Sequence, residues 1–117
     1  MSTMYSGNGT FLANTTVTAF RAVVLSSNGG ITLNAGTTKP DGFALTDAAS
    51  GDYVSVKFLH NPGTQKGTLS IAPVTIGDTL YAANAGNVST TGTVAIGKSL
   101  TTSAVTGAVI EFIPNTL

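Results

Sequence analysis

No stretch of this chain repeats apolar residues at three- and four-residue spacing for three turns, and the helix formers Glu, Lys and Gln are scarce. Short runs of β-branched and aromatic residues recur instead, each closed off by Gly, Asn, Asp or Pro. Strands are expected over residues 11–18, 22–25, 31–34, 42–45, 53–60, 68–74, 79–82, 87–89, 94–100 and 108–113. Between them lie Asn28-Gly29-Gly30, Lys39-Pro40-Asp41-Gly42, Asn61-Pro62-Gly63 and Asn84-Ala85-Gly86-Asn87. These residues tolerate positive φ, or fix φ at a proline, where a turn needs it. Many short strands at close spacing specify an all-β fold, a small single-domain β-barrel or sandwich. Alternation agrees: Val54, Val56 and Phe58 share one strand face, with Ser55 and Lys57 on the other. Near the end of the chain Ile110 and Phe112 lie opposite Glu111.

The chain also carries a degenerate repeat. Residues 24–32 align with 80–89, placing Asn28 on Asn84 at an offset of 56, and Gly42 to Thr46 align with Gly97 to Thr101 at an offset of 55. After each Gly-x-x-Leu-Thr a glycine opens a strand, Gly51 before Tyr53 and Gly107 before Val109. Each half is then a strand–turn–strand–loop–strand unit that cannot bury its apolar face alone, so the two pseudo-repeated halves are expected to close on one core about a pseudo-twofold. Residues 1–20 precede this repeat and form an extended N-terminal arm ahead of a β domain over 21–117. The arm is polar with isolated Met4 and Tyr5, then Phe11 and Leu12. It is either a frayed terminus or a segment that orders against a partner.

At 117 residues the chain fits one domain, since domains commonly run about 100–150 residues. Charged residues are 9% of it, against about 25% in an ordinary domain, yet 42% is hydrophobic, which separates it from charged disordered chains. Five basic and five acidic residues give zero net charge and no cationic stripe, so no nucleic-acid partner is expected. No apolar run approaches the roughly 20 residues of a membrane span, and the N-terminus shows no secretion signal. Without Cys there is neither disulfide nor thiolate chemistry, which is compatible with folding in a reducing cytoplasm.

Catalytic constellations are not found. His60 is the only imidazole, at a strand end entering a turn, and no Ser-His-Asp set can be singled out among so many serines. Asp41, Asp47, Asp52 and Asp78 adjoin glycines or loops, where Asp caps turns, and none has calcium-loop spacing. Gly29-Gly30, Gly63 and Gly67 make no phosphate cradle, and Tyr5, Tyr53 and Tyr81 are too separated for a base-stacking platform. The expectation is a protein that is not an enzyme, with no cofactor, no metal and no catalytic residue.

Three segments in order carry a resemblance. Gly42-Phe43-Ala44-Leu45-Thr46-Asp47-Ala48-Ala49-Ser50-Gly51-Asp52-Tyr53-Val54-Ser55-Val56 is followed by Ile76-Gly77-Asp78-Thr79-Leu80-Tyr81-Ala82-Ala83-Asn84-Ala85-Gly86-Asn87-Val88-Ser89, then Ile96-Gly97 and a closing strand at Gly107-Ala108-Val109-Ile110. Together they resemble the capsid decoration (cement, head-stabilising) proteins of tailed bacteriophages, over roughly residues 22–113. The chain departs from that pattern in its first twenty residues and in an insertion, His60-Asn61-Pro62-Gly63-Thr64-Gln65-Lys66-Gly67. The resemblance implies a compact β protein made in the host cytoplasm and carried on the outer surface of an icosahedral head. Its implied partners are the major capsid protein and itself, as a homotrimer, with no nucleic acid and no membrane. Arms and loops are where such proteins grip their partners. The interface candidates are therefore Met4, Tyr5, Phe11 and Leu12, as anchors of an arm that adds a strand to a capsid-protein edge, with His60, Asn61 and Pro62. The alternative function is a small carbohydrate-binding or adhesion module of a phage fibre. Against it stands the lack of Trp, the usual platform for a sugar face.

Overall fold

The computed structural model describes residues 8–59 and 63–114. Ten strands are arranged in chain order: β1 Asn8–Leu12, β2 Ala22–Leu25, β3 Ile31–Leu33, β4 Gly42–Ala44, β5 Tyr53–Phe58, β6 Gln65–Thr68, β7 Thr79–Ala82, β8 Val88–Ser89, β9 Ala95–Ser99 and β10 Val109–Pro114. A single 3-10 turn, Asn84–Gly86, joins β7 to β8. The strands form two five-stranded antiparallel sheets, ordered β1-β5-β4-β2-β3 and β6-β10-β9-β7-β8. The fold is all-β, as the run-and-breaker pattern requires.

The two sheets repeat one topology, strand for strand. Phe11 pairs with Val54 as Gly67 pairs with Ile110, Leu25 with Ile31 as Ala82 with Val88, and Phe43 with Lys57 as Lys98 with Ile113. The bridges outside the strands repeat too. Ala13 meets Ile31 in parallel as Leu69 meets Val88, and Val17 meets Ala48 as Val74 meets Ser103. The parallel bridge, with Asn14 N donating to Ile31 O and Ser70 N to Val88 O (both 2.8 Å), brings the two end strands of each sheet together and closes it into a small barrel. Closure leaves neither sheet with a long open edge.

Three expectations are corrected. Residues 8–20, assigned to an arm, belong to the first barrel. Leu12 pairs with Tyr53, Ala13 N donates to Asp52 O, and Ala13 and Val17 are buried. Residues 65–67, read as part of an insertion, are the matching first strand of the second barrel. Nor do the halves share one core about a twofold. Ala13, Val17, Val23, Ile31, Val54 and Val56 fill the first barrel, while Leu69, Val74, Leu80, Ile96, Ile110 and Phe112 fill the second. Each barrel buries its own alternating faces, which a closed sheet can do and an open one cannot.

The barrels join through unlike faces. The first contributes Phe20 to Ala22, Asn34 to Gly36, and Phe43; the second contributes β6 and the 3-10 turn. Gly86 N donates to Asn34 O (2.7 Å), Arg21 Nη1 to Ala85 O (3.0 Å), and Thr68 Oγ1 to Phe20 O (3.1 Å). Phe43 crosses the joint, its ring edge-on to Phe112 at 5.3 Å and buried in the second barrel's core. Close approach demands glycine here: a Cβ on Gly86 (φ +75°) would lie 2.7 Å from Ala22 O. The connection between barrels is tied down by Lys57 Nζ donating to Thr64 O (2.6 Å) and by Thr64 Oγ1 donating to Glu111. The molecule is elongated, 40 × 25 × 22 Å.

Candidate interaction surface

Among the described residues no three His, Cys, Asp or Glu side chains come together, and no helix is long and apolar enough to cross a membrane. What the surface does offer is apolar side chains in water, and the duplication sorts them. One set recurs in both barrels. Leu45 (37% exposed) corresponds to Leu100 (40%), and Tyr53 (72%) to Val109 (49%). Their positions follow from local structure: Leu45 and Leu100 directly follow a buried strand residue, and Tyr53 and Val109 open β5 and β10 on the outward phase of the alternation. A repeated exposed pair is one surface presented on both barrels.

A second set occurs on one barrel only. Leu12 and Leu25 are exposed on the first barrel, and Ile71, Ile76, Val105 and Ile113 on the second. By strand register Leu12 corresponds to Thr68, buried at the joint, Leu25 to Ala82, buried in the second barrel's cluster, and Ile113 to Lys57. Next to Ile113 lies a shallow cleft of about 340 Å³ bounded by Thr79, Ala95, Gly97, Lys98 and Pro114.

Of the interface candidates read from the sequence, Met4, Tyr5, His60, Asn61 and Pro62 lie outside the described residues. Phe11 and Leu12 fall in β1, whose backbone is paired to β5 within the chain. Phe11 points inward, edge-on to Phe58 at 5.7 Å, and Leu12 points outward beside Tyr53. Sequence reading passed over Tyr53, Leu25, Ile76, Val109 and Ile113. The signal for Val109 and Ile113 was available, because they share the strand phase of Glu111.

The fold is that of a phage head protein of known structure. The chain superposes with a TM-score of 0.78 on the N base of the head fiber gp8.5 of bacteriophage phi29, at 20% identity, covering 98% of this chain and 95% of that one. No protein-family model and no curated protein sequence matches the chain.

Proposed function

We propose that this chain is a structural protein of a bacteriophage virion, seated on the outer surface of the icosahedral head, where it binds the major capsid protein and stabilises the shell. The observation that carries this reading is the end-to-end likeness of fold to the base of a head fiber, with little left over in either chain. The ordered motifs that resemble decoration proteins point the same way. The duplicated surface supplies the physics. Leu45 with Tyr53, and Leu100 with Val109, present equivalent contacts on each barrel, and linked weak contacts gain affinity through effective concentration. Self-association as a homotrimer would multiply them again, and neutrality removes like-charge repulsion between crowded copies.

The same likeness favours a second reading, a fibre base that carries a further module, with adhesion or carbohydrate binding as its task. Purified protein is incubated with undecorated, expanded heads and sedimented, in parallel with glycan binding. Saturable co-sedimentation is expected from wild type, with the apparent affinity lowered at least about tenfold when Tyr53→Ser and Val109→Ser are combined, the loss of roughly 1.4 kcal/mol or more. Binding to glycan without binding to heads would instead establish the adhesion reading.

A further inference from the structure

The joint between the barrels is head-to-tail: one face of the first barrel meets a different face of the second. Duplication therefore leaves the complementary pair unused. Among the described residues, the second barrel keeps an uncovered copy of the face that the first barrel uses, and the first keeps an uncovered copy of the face that the second uses. We infer that these two vacant faces bind each other between copies of this chain, so that the intrachain joint is continued from one molecule to the next.

Strand register places each vacant face. On the first barrel, the turn from Ser26 to Gly30 occupies the position of Ala83 to Asn87, with the same number of residues between paired strands. Both turns close alike, Ser26 N donating to Gly30 O (2.8 Å) and Ala83 N to Asn87 O (2.9 Å). Gly29 (φ +85°) is then the counterpart of Gly86 (φ +75°). Gly86 is wedged against Ala22, whereas Gly29 has nothing within 4 Å of where a Cβ would stand. Beside each turn sits the strand-end residue, Ala82 at 4% exposure in the second barrel's cluster and Leu25 at 48% in water. A leucine exposed at a position whose counterpart is buried is accounted for if a partner covers it.

On the second barrel, the counterparts of Ala22 and Phe43 are Thr79 and Lys98, and these line the 340 Å³ cleft next to Ile113. The cleft corresponds to the seat on which the 3-10 turn rests in the first barrel, here without an occupant among the described residues. Residue sizes are also exchanged across the two joints. Inside the chain, Phe43 fills the space over Gly67, its ring 3.3 Å from where a Cβ would stand. In the face left free, Lys98 stands where the joint has Phe43, and the space over Gly67 is filled in the first barrel from within, by Phe11 packed on Phe58.

A head-to-tail contact has a signature that a symmetric dimer lacks, because one molecule needs both faces to extend but only one to pair. This inference deepens the self-association part of the proposed function, and it is measured on the purified full chain with no capsid present, so its failure leaves head binding untouched. Light scattering at micromolar concentration should show wild type as a discrete multiple of the chain mass. Leu25→Glu alone and Ile113→Glu alone should each lower the mass, with unchanged far-ultraviolet circular dichroism, to that of one chain. Mixed in equal amounts, the two variants should form dimers through the one intact pair of faces. Ser27→Arg and Thr79→Arg repeat the design at the exposed turn and cleft should either first variant misfold. A monomeric wild type, variants that keep the wild-type mass, or a mixture that stays monomeric would each overturn the inference.

Discussion

The two barrels share a topology and a register but not a burden. The second is completed by the first, because Phe43, Ala22 and Leu59 lie in its apolar cluster, whereas the first barrel's cluster draws on no residue after Phe58. The first barrel supplies for itself what the second borrows: Phe11 stands where the second has Gly67, and its ring packs on Phe58. The joint also shapes residues around it. Phe20 adopts φ +66° where its counterpart is Gly77, a backbone region that costs a bulky residue about 1–2 kcal/mol. Phe20 sits at the joint, its carbonyl accepting from Thr68 and its ring 5.7 Å below Lys66 Nζ. Duplicated units diverge where one leans on the other and stay alike where only the ladder matters.

The strongest challenge to that likeness falls on matched glycines. A Cβ at Gly97 would lie 2.1 Å from Ile113 O, and one at Gly42 would lie 2.5 Å from Lys57 O. Gly97→Ala should cost about 4 kcal/mol or more, at the exceptional end for a point change, and Gly42→Ala somewhat less. Urea titration measures both, and a loss under 1 kcal/mol for either would break the equivalence of the two β-ladders. Next in size is Phe43→Ala, expected to cost about 3–5 kcal/mol as a large-to-small core change. Although Phe43 belongs to β4, the amides that lose hydrogen-exchange protection should be those of β6 and β10. Protection lost only within the first barrel would show that the second does not depend on it.

The smallest effect sharpens the contrast most. Gly29→Ala and Gly86→Ala both place alanine at positive φ, costing about 1–2 kcal/mol for backbone strain alone. Gly86→Ala must also displace the backbone of Ala22, so it should cost measurably more than Gly29→Ala in the monomer. Equal losses in thermal denaturation would mean that the joint yields without resistance.

Much of the fold was legible in the residues. The β-branched runs and their breakers located β2, β3, β4, β5, β7, β8, β9 and β10, and Gly42 with Gly97 marked equivalent positions. The match of Asn28 to Asn84 was one residue off, since the ladder sets Asn28 against Ala85. What escaped was the first strand of each unit. β1 reads Asn-Gly-Thr-Phe-Leu and β6 reads Gln-Lys-Gly-Thr, with no shared side chain at any matched position. They are equivalent only through the backbone bonds they make to β5 and β10. The candidate surface was legible in part. Phe11 and Leu12 were singled out as apolar residues in a polar leader, yet one faces the core and the other water.

By itself the sequence determined that the chain is all-β, where it turns, that its second half echoes its first, and that it carries almost no charge. Those properties are local or compositional, and each residue states its share of them. Only the tertiary structure decided that the echo begins at residue 8, that each sheet closes on itself, and that the two barrels meet through unlike faces. Backbone hydrogen bonds hold a register without regard to side-chain identity, so two strands of unlike sequence occupy one place in a fold. The burial of Ala82 and the exposure of Leu25 at matching positions depend on which neighbour stands beside them, and no window of sequence contains that neighbour.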